Sequence, residues 1–228
     1  IQGSPKHVLA EALVSMGMDK SELRNMEFVL TERCEQAALL AFELHREQNR
    51  KNIRAPFMCH ILGVASLVVE NIGMLVNTPE EAEDAVMIAL LHDAVEDQGG
   101  KPTLERIRQA FGDTIANGVL SLTDAIPEPG GKKLPKAERN RRYIEHLKED
   151  SAVIALISCC DKIYNLRTMA ADAVVIERQE FWKAYSQSPE LTMANYRNLG
   201  TVYAEKLAGH RIVKIYELAL AQVEALMP

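Results

Sequence analysis

The sequence predicts an all-α protein that forms a single domain over residues 1–228. Apolar residues recur at steps of three and four residues along most of the chain, which is the periodicity of a half-buried helix. No segment alternates strictly between apolar and polar residues, as a half-buried strand does. We find no internal repeat and no low-complexity linker, and 228 residues are enough for one large core. These observations together favour one helical domain.

Start and stop signals place the individual helices. Pro56 and Pro79 stand just before two strongly apolar helices, which we expect over residues 58–70 and 80–95. Another helix begins at Pro102 and ends near Gly112, and Asp113 can cap the helix that follows. The segment 126–134 contains two prolines and two glycines and is predicted to be a loop. The remaining helices are expected over 30–47, 136–148, 151–171, 191–207 and 210–226.

Charge and composition exclude several classes of protein. The net charge of −6 disfavours a nucleic-acid partner, which needs a basic face. No apolar run approaches the roughly 18 residues that span a bilayer, and the amino terminus has no signal-peptide pattern, so we expect no membrane partner. The four cysteines lack CxxC spacing, which disfavours a thiolate zinc site and fits reduced thiols in a cytoplasmic protein.

Four polar residues end the apolar helix predicted over 80–95: His92, Asp93, Glu96 and Asp97. Residues four apart share one side of a helix, so His92 lies on the side of Glu96, and Asp93 lies on the side of Asp97. Acidic residues at a helix carboxyl end oppose the helix dipole unless a positive group is close. A bound metal ion would supply that charge, and the alternative is that the acids are only solvated.

Two further residues complete a candidate ligand set. His60 lies in the first turn of its helix, where a lone histidine is otherwise a core residue. Asp161 follows an apolar run that would bury it, and either a metal ion or a cation such as Lys162 or Arg167 would then have to accompany it. Asn165 shares the helix side of Asp161. Two imidazoles and two carboxylates suit Mn²⁺, Fe²⁺ or Zn²⁺ better than Ca²⁺.

An ordered set of motifs extends this pattern over about residues 33–170. The motifs are His45-Arg46-x-x-x-Arg50-Lys51, Pro56-Phe57-x-x-His60, Leu91-His92-Asp93-x-Val95-Glu96-Asp97, Leu134-Pro135-Lys136-x-Glu138-Arg139 and Asp161-Lys162-x-Tyr164-Asn165-Leu166-Arg167. This set resembles the hydrolase domain of the RelA/SpoT family, and it is most similar to the stand-alone small alarmone hydrolases of the metazoan SpoT-like type.

The resemblance implies a compact HD-domain helical bundle that removes the 3′-pyrophosphate from guanosine 3′,5′-bis(diphosphate). It implies one divalent metal ion, Mn²⁺ in the first place, with Fe²⁺ or Zn²⁺ as alternatives, and a purine nucleotide as the substrate. The site residues that it implies are His60, His92, Asp93 and Asp161 as metal ligands, Glu96 and Asp97 as the catalytic carboxylates that orient or activate water, and Arg50, Lys51, Lys136, Arg139 and Asn165 as substrate contacts.

Two other functions stay open at this point. One is an HD phosphohydrolase for another nucleotide: an adenosine alarmone, NADPH or a nucleoside monophosphate. The other is a catalytically silent, metal-stabilised regulatory module, which the complete set of ligands and acids disfavours. The chain also departs from the family, because Ile61 replaces the usual proline after the metal histidine and the region after Ala171, with Trp182 and Tyr185, does not match. The apolar C-terminal helices allow a homo-oligomer.

Overall fold

Helices dominate the computed structural model, which describes residues 27–50, 53–124, 126, 134–183 and 185–226. Within these ranges the all-α prediction is confirmed, and the only strand-like pairing is an isolated antiparallel bridge between Asn49 and Pro56. A 3₁₀ turn, Ile72–Met74, follows the second helix directly. The α-helices are α1 (Glu32–Leu44), α2 (Met58–Asn71), α3 (Pro79–Leu91), α4 (Ala94–Asp97), α5 (Lys101–Leu122), α6 (Lys136–Glu149), α7 (Ala152–Val175), α8 (Arg178–Lys183), α9 (Pro189–Lys206) and α10 (Arg211–Glu224).

Side-chain caps fix where several helices begin. The hydroxyl oxygens of Thr31, Thr78, Ser151 and Ser188 accept hydrogen bonds from backbone amides in the first turns of α1, α3, α7 and α9. Each cap satisfies an amide that has no partner within the helix. The predicted starts of these helices lie within two residues of the observed ones.

Several helix boundaries differ from the predictions. The predicted helix over 80–95 ends at Leu91, and the chain turns at His92 and Asp93 before the short helix α4. The last predicted residue of α7 was 171, but the helix continues to Val175, and α8 was not predicted. The expected stop near Gly112 is a kink inside α5, where Gly112 has a φ of 85°. Of the predicted loop 126–134, residues 127–133 lie outside the described residues.

The central helix is α7, which packs against α2, α3, α5, α8, α9 and α10. Its residues Leu156, Ile157, Cys159 and Cys160 have no exposed surface. Both cysteines are free thiols. The buried apolar residues of the described chain form one cluster that runs from Cys34 in α1 to Val223 in α10. No helix in the described ranges is long and apolar enough to cross a membrane.

Candidate metal centre and adjoining pocket

Helices α2, α3 and α7 bring together the four predicted metal ligands, which we call the histidine–aspartate cluster: His60, His92, Asp93 and Asp161. Asp93 Oδ2 lies 3.3 Å from His60 Nε2 and 3.2 Å from His92 Nε2. The two Nε2 atoms are 3.2 Å apart. Asp161 Oδ1 lies 3.4 Å from His60 Nε2 and 4.0 Å from His92 Nε2. One donor atom from each residue therefore faces a common point.

The tautomer of His92 is set by the backbone. Its Nδ1 lies 2.7 Å from the carbonyl oxygen of Ala89, one turn earlier in α3. A carbonyl oxygen only accepts, so Nδ1 carries a proton and donates, which leaves Nε2 free to act as a ligand. The turn at the end of α3 thus both positions the imidazole and prepares its outward nitrogen.

The ring of His60 is held by aromatic neighbours. It packs edge-on against Tyr164 and against His92, with centroid distances of 5.1 Å in both cases. The close approach of Tyr164 depends on Gly63, because a Cβ atom at that position would overlap the tyrosine ring. The glycine one turn after the histidine therefore contributes to the orientation of the ligand.

Asp161 is oriented by two neighbours on its own helix. Asn165 Nδ2 donates to Asp161 Oδ1 at 2.6 Å, and Lys162 Nζ donates to Oδ2 at 2.5 Å. Both oxygens of the carboxylate are engaged, so the side chain has a single defined orientation. Lys162 also lies 5.5 Å from the centre of the Tyr143 ring, in the range of a cation–π contact.

The pKa values of the cluster residues are set by burial and by the mutual attraction of these residues. Burial lowers the pKa of His60. Burial also lowers the pKa of His92, but attraction to Asp93 and Asp161 outweighs it and raises this pKa to about 9. Burial alone would raise the pKa of Asp93, and attraction to His92 brings it well below its usual value. The two carboxylates therefore favour a positive charge at the point where the four residues meet.

These residues fit a divalent metal ion. His60, His92 and Asp161 are 1%, 3% and 8% exposed, and two imidazole nitrogens and two carboxylate oxygens converge on one point. His60, His92 and Asp93 also satisfy the mutual distances expected of a ligand group. A buried, net negative set of donors of this kind is stable only with a positive charge inside it.

A pocket with a volume of about 260 Å³ opens beside the cluster. Asp93 and Asp161 form part of its wall, and the other charged residues in the wall are Glu96, Asp124, Lys136 and Lys162. Asn165 of the predicted substrate contacts also lines it. A ligand in this pocket could therefore contact the histidine–aspartate cluster and the ammonium groups of Lys136 and Lys162 at the same time.

The two predicted catalytic carboxylates lie in different surroundings. Glu96 lines the pocket, and Arg139 Nη1 lies 3.6 Å from its Oε1 atom. Asp97 is exposed and is not among the pocket residues. Its Oδ2 atom accepts a hydrogen bond of 2.7 Å from Gln48 Nε2. Glu96 is thus the carboxylate that faces a ligand in this pocket.

Arg50 lies over the outer side of the cluster. Its Nη2 atom donates to Asn165 Oδ1 at 3.1 Å and to Thr168 Oγ1 at 3.3 Å. The guanidinium carbon is 5.8 Å from the centre of the Phe57 ring and 6.0 Å from that of Tyr164. The neighbouring predicted contact, Lys51, lies outside the described residues.

Lys136 and Arg139 meet at a carboxylate that the sequence did not single out. Asp124, two residues after α5, accepts from Lys136 Nζ at 3.1 Å and from Arg139 Nη1 at 2.5 Å. We call these three residues the ion-pair wall. Tyr143 and Tyr196 also line the pocket and were missed. Apolar periodicity assigns tyrosines to the core, and no spacing in the sequence relates Asp124 to the metal motifs.

Fold and site together define a class: all-helical proteins in which a His-Asp pair at a helix end joins a second histidine and a second aspartate around a pocket. The chain belongs to the HD domain family, since a family model described as HD domain matches residues 37–187. The resemblance to the RelA/SpoT hydrolase domain is confirmed by the proteins described next.

Several relatives carry one name, guanosine-3′,5′-bis(diphosphate) 3′-pyrophosphohydrolase MESH1. The protein of Xenopus tropicalis is 38% identical over 136 residues, which cover 59% of this chain and 68% of that protein. The protein of Danio rerio is 36% identical over 130 residues, which cover 57% of this chain and 64% of that protein. The matched region thus spans about two thirds of the length of these relatives.

Two solved structures share the fold. One is described as a metazoan ortholog of SpoT that hydrolyses ppGpp, with a TM-score of 0.64 and 22% identity, covering 88% of this chain and 100% of the other. The second is a protein of Listeria monocytogenes EGD-e, with a TM-score of 0.58 and 22% identity, covering 77% of this chain and 97% of the other. At this level of identity the likeness establishes the fold.

Proposed function

We propose that this protein is a metal-dependent phosphohydrolase that removes the 3′-pyrophosphate from guanosine 3′,5′-bis(diphosphate). The observation that carries the proposal is the convergence of His60, His92, Asp93 and Asp161 beside a pocket whose wall contains lysine side chains. The activity printed for the MESH1 relatives, at 34–38% identity for the frog, fish and human proteins, supports the same reaction.

The four cluster residues would hold one divalent ion, and the donor set suits Mn²⁺, with Fe²⁺ and Zn²⁺ as alternatives. Such an ion, when bound, lowers the pKa of water and cancels negative charge on phosphoryl oxygens. Hydrogen bonds within the chain fix the orientation of the ligands: the Ala89 carbonyl orients His92, and Asn165 and Lys162 orient Asp161. Little reorganisation is then needed at the reacting phosphorus.

Glu96 is the group that we assign to the attacking water. Its carboxylate lies in the pocket wall and can accept a proton from water on the phosphorus side, while Arg139 at 3.6 Å keeps it oriented. Asp97 would not contact the water directly, since Gln48 holds its carboxylate outside the pocket. Both residues remain in the machinery, but with unequal roles.

The substrate contacts follow from the positions of the cations. Lys136 lines the pocket and can bind phosphate oxygens there, and Arg139 lies directly behind the lining residues Asp124 and Glu96, within reach of the same oxygens. Charge neutralisation and positioning are the main requirements of phosphoryl transfer. Arg50 presents a planar guanidinium that can stack on a purine, with Lys51 as its neighbour in sequence, and Asn165 lies between Arg50 and Asp161.

The first experiment is hydrolysis of guanosine 3′,5′-bis(diphosphate) by the purified chain with Mn²⁺, Fe²⁺ or Zn²⁺ and with EDTA, following nucleotide and pyrophosphate. We expect stoichiometric GDP and pyrophosphate that EDTA abolishes and Mn²⁺ restores. Metal-replete protein that leaves this nucleotide intact would contradict the proposal. Cleavage of the adenosine analogue or of NADPH alone would correct the substrate but keep the reaction class.

A matched pair of variants separates the site from the fold. Asp161→Asn removes a cluster carboxylate, whereas Asp113→Asn removes a surface carboxylate that pairs with Arg108. We expect the first to lose hydrolysis and the second to keep the parent rate.

We also assign the described chain to one domain in the cytoplasm, on the basis of its single core and its free thiols.

A further inference from the structure

The ion-pair wall has the geometry of an anion-binding site. Asp124 Oδ2 lies 3.1 Å from Lys136 Nζ and 2.6 Å from Arg139 Nη1, so two cations from α6 converge on a single oxygen. The same guanidinium nitrogen lies 2.5 Å from Oδ1. Convergent lysine and arginine donors of this kind are how proteins hold phosphate oxygens. Here a carboxylate of the chain occupies the position between them.

The wall is partly closed to solvent, which strengthens its electrostatics. The side chains of Asp124 and Arg139 are 15% and 14% exposed, and that of Lys136 is 40% exposed. Burial alone raises the pKa of Asp124, but attraction to Lys136 and hydrogen bonds from Arg139 outweigh it and lower the pKa below its usual value. The carboxylate is therefore charged at neutral pH and little screened by salt.

Arg139 keeps donor capacity that Asp124 does not use. Its Nε atom is buried and has no hydrogen-bond partner among the described residues. Its Nη1 atom is shared between Asp124 and Glu96, at 3.6 Å from the latter. A guanidinium has five N–H donors, so a carboxylate with two oxygens leaves it incompletely satisfied. A phosphate group, with three free oxygens, matches the unused donors better.

We propose that Asp124 is an internal competitor for the substrate's phosphate groups, a specificity residue that occupies the anion position between Lys136 and Arg139 and weakens their affinity for oxyanions. The inference rests on the proposed function only in taking a nucleotide pyrophosphate as the substrate. Asp124 is separate from the predicted ligands and acids, and it acts on how tightly phosphate binds.

The consequence of such a competitor is selectivity. A like charge next to a bound phosphate costs binding free energy, and every anion that enters the wall meets this cost. A free phosphate has only the wall to bind, whereas a pyrophosphate attached to a nucleoside also reaches the histidine–aspartate cluster and Arg50. Asp124 therefore weakens both by a similar factor, but the full substrate stays bound through its other contacts while a small anion has none to hold it, which is specificity through an unfavourable contact.

The other role for Asp124 is purely structural, as the residue that holds Lys136 and Arg139 in place for the substrate. The two roles predict opposite signs. A competitor weakens anion binding, so its removal tightens binding. A scaffold strengthens anion binding, so its removal loosens it.

The test is the dissociation constant of inorganic pyrophosphate, measured by calorimetry on the full, metal-free chain, together with the KM for guanosine 3′,5′-bis(diphosphate) on the metal-loaded chain. We expect Asp124→Asn to lower both on the order of tenfold, with a smaller change in kcat. The control is Glu138→Gln, which removes a carboxylate from α6 that pairs with Arg141 and Arg142 at the surface. That variant is expected to bind pyrophosphate like the parent.

An unchanged or raised dissociation constant in folded Asp124→Asn protein would overturn the proposal. If that variant does not fold, Asp124→Ser takes its place, and Asp124→Glu, which keeps the charge, should bind as weakly as the parent. A double-mutant cycle with Lys136→Met adds a second check: Lys136 should contribute more to pyrophosphate binding when Asp124 is absent, and strict additivity would contradict the competition.

The two proposals fail in different ways. Absence of nucleotide hydrolysis by the parent protein would count against the proposed function, while the pyrophosphate measurement would still decide the role of Asp124. Hydrolysis by the parent with an unshifted KM in Asp124→Asn would count against the competitor alone.

Discussion

The histidine–aspartate cluster and the ion-pair wall adjoin one pocket, which Asp124 and Lys136 of the wall line, but they stand on helices of different burial. The imidazoles of the cluster are 1% and 3% exposed, and they stand on α2 and in the turn after α3, two helices that pack into the core. The lysine of the wall is 40% exposed, and α6, which carries both wall cations, buries only Leu147 completely. The metal ligands are therefore tied more closely to the stability of the fold than Lys136, which stands on an exposed helix.

The largest expected effect comes from breaking the cluster. Asp161→Ala should remove the metal and lower turnover about a thousandfold or more. It should also destabilise the protein by about 2–4 kcal/mol, because Lys162 loses the carboxylate that neutralises it. Metal content per chain, thermal unfolding and the hydrolysis rate check this together. A variant with full metal content and the parent rate would remove Asp161 from the site.

The next effect separates the two catalytic carboxylates. Glu96→Gln should keep the metal and lower kcat about a hundredfold, because the group in the pocket wall can no longer accept a proton. Asp97→Asn should lower kcat by less, since Gln48 holds that side chain outside the pocket. Steady-state kinetics on metal-matched samples measure both, and the reverse order would make Asp97 the residue that handles water.

A substitution outside the ligand set can also disturb the cluster through packing. Gly63→Ala forces Tyr164 away from its position against His60 and should cost about 1–3 kcal/mol of stability. Metal affinity should fall with it. Denaturant unfolding of Gly63→Ala and of the double variant Gly63→Ala, Tyr164→Leu tests the cause: the smaller side chain should recover part of the loss, and no recovery would point to another contact.

Metal binding by the cluster should also depend on pH. The raised pKa of His92, about 9 in the metal-free protein, means that this residue must release a proton before it binds a metal. Metal affinity should therefore rise about tenfold per pH unit towards pH 9. Chelator competition between pH 6.5 and 8.5 measures it, and affinity that does not change would show that His92 is neutral without the ion.

The same shift has an opposite consequence for the metal-free fold. A histidine whose pKa is raised in the folded state stabilises the protein fully below its unfolded pKa, and this contribution is lost as pH rises through the folded pKa. The metal-free protein should therefore lose stability between about pH 6.5 and 9, the interval between the two pKa values of His92. Pyrophosphate binding at the ion-pair wall should not follow this change.

Most of the helices and the local half of the cluster were predictable from the sequence. Apolar repeats, with Pro79 as a start signal, locate the starts of α1, α3, α7 and α9 within two residues. His92 and Asp93 are neighbours in the chain, so any fold keeps them together. The end of α3 was not predictable, because the apolar pattern continues through Ala94 and Val95 while the chain turns at His92.

The sequence alone establishes that this protein is helical, that His60, His92, Asp93 and Asp161 are of the types that bind a divalent ion, and which family's motifs it carries. The packing of the helices brings His60 to Asp161, turns Glu96 to the pocket while Asp97 pairs with Gln48, and sets Asp124 between Lys136 and Arg139. The physical reason is that periodicity and capping are local properties of the chain. Contacts between side chains on different helices depend on how those helices pack, which a single sequence pattern does not encode.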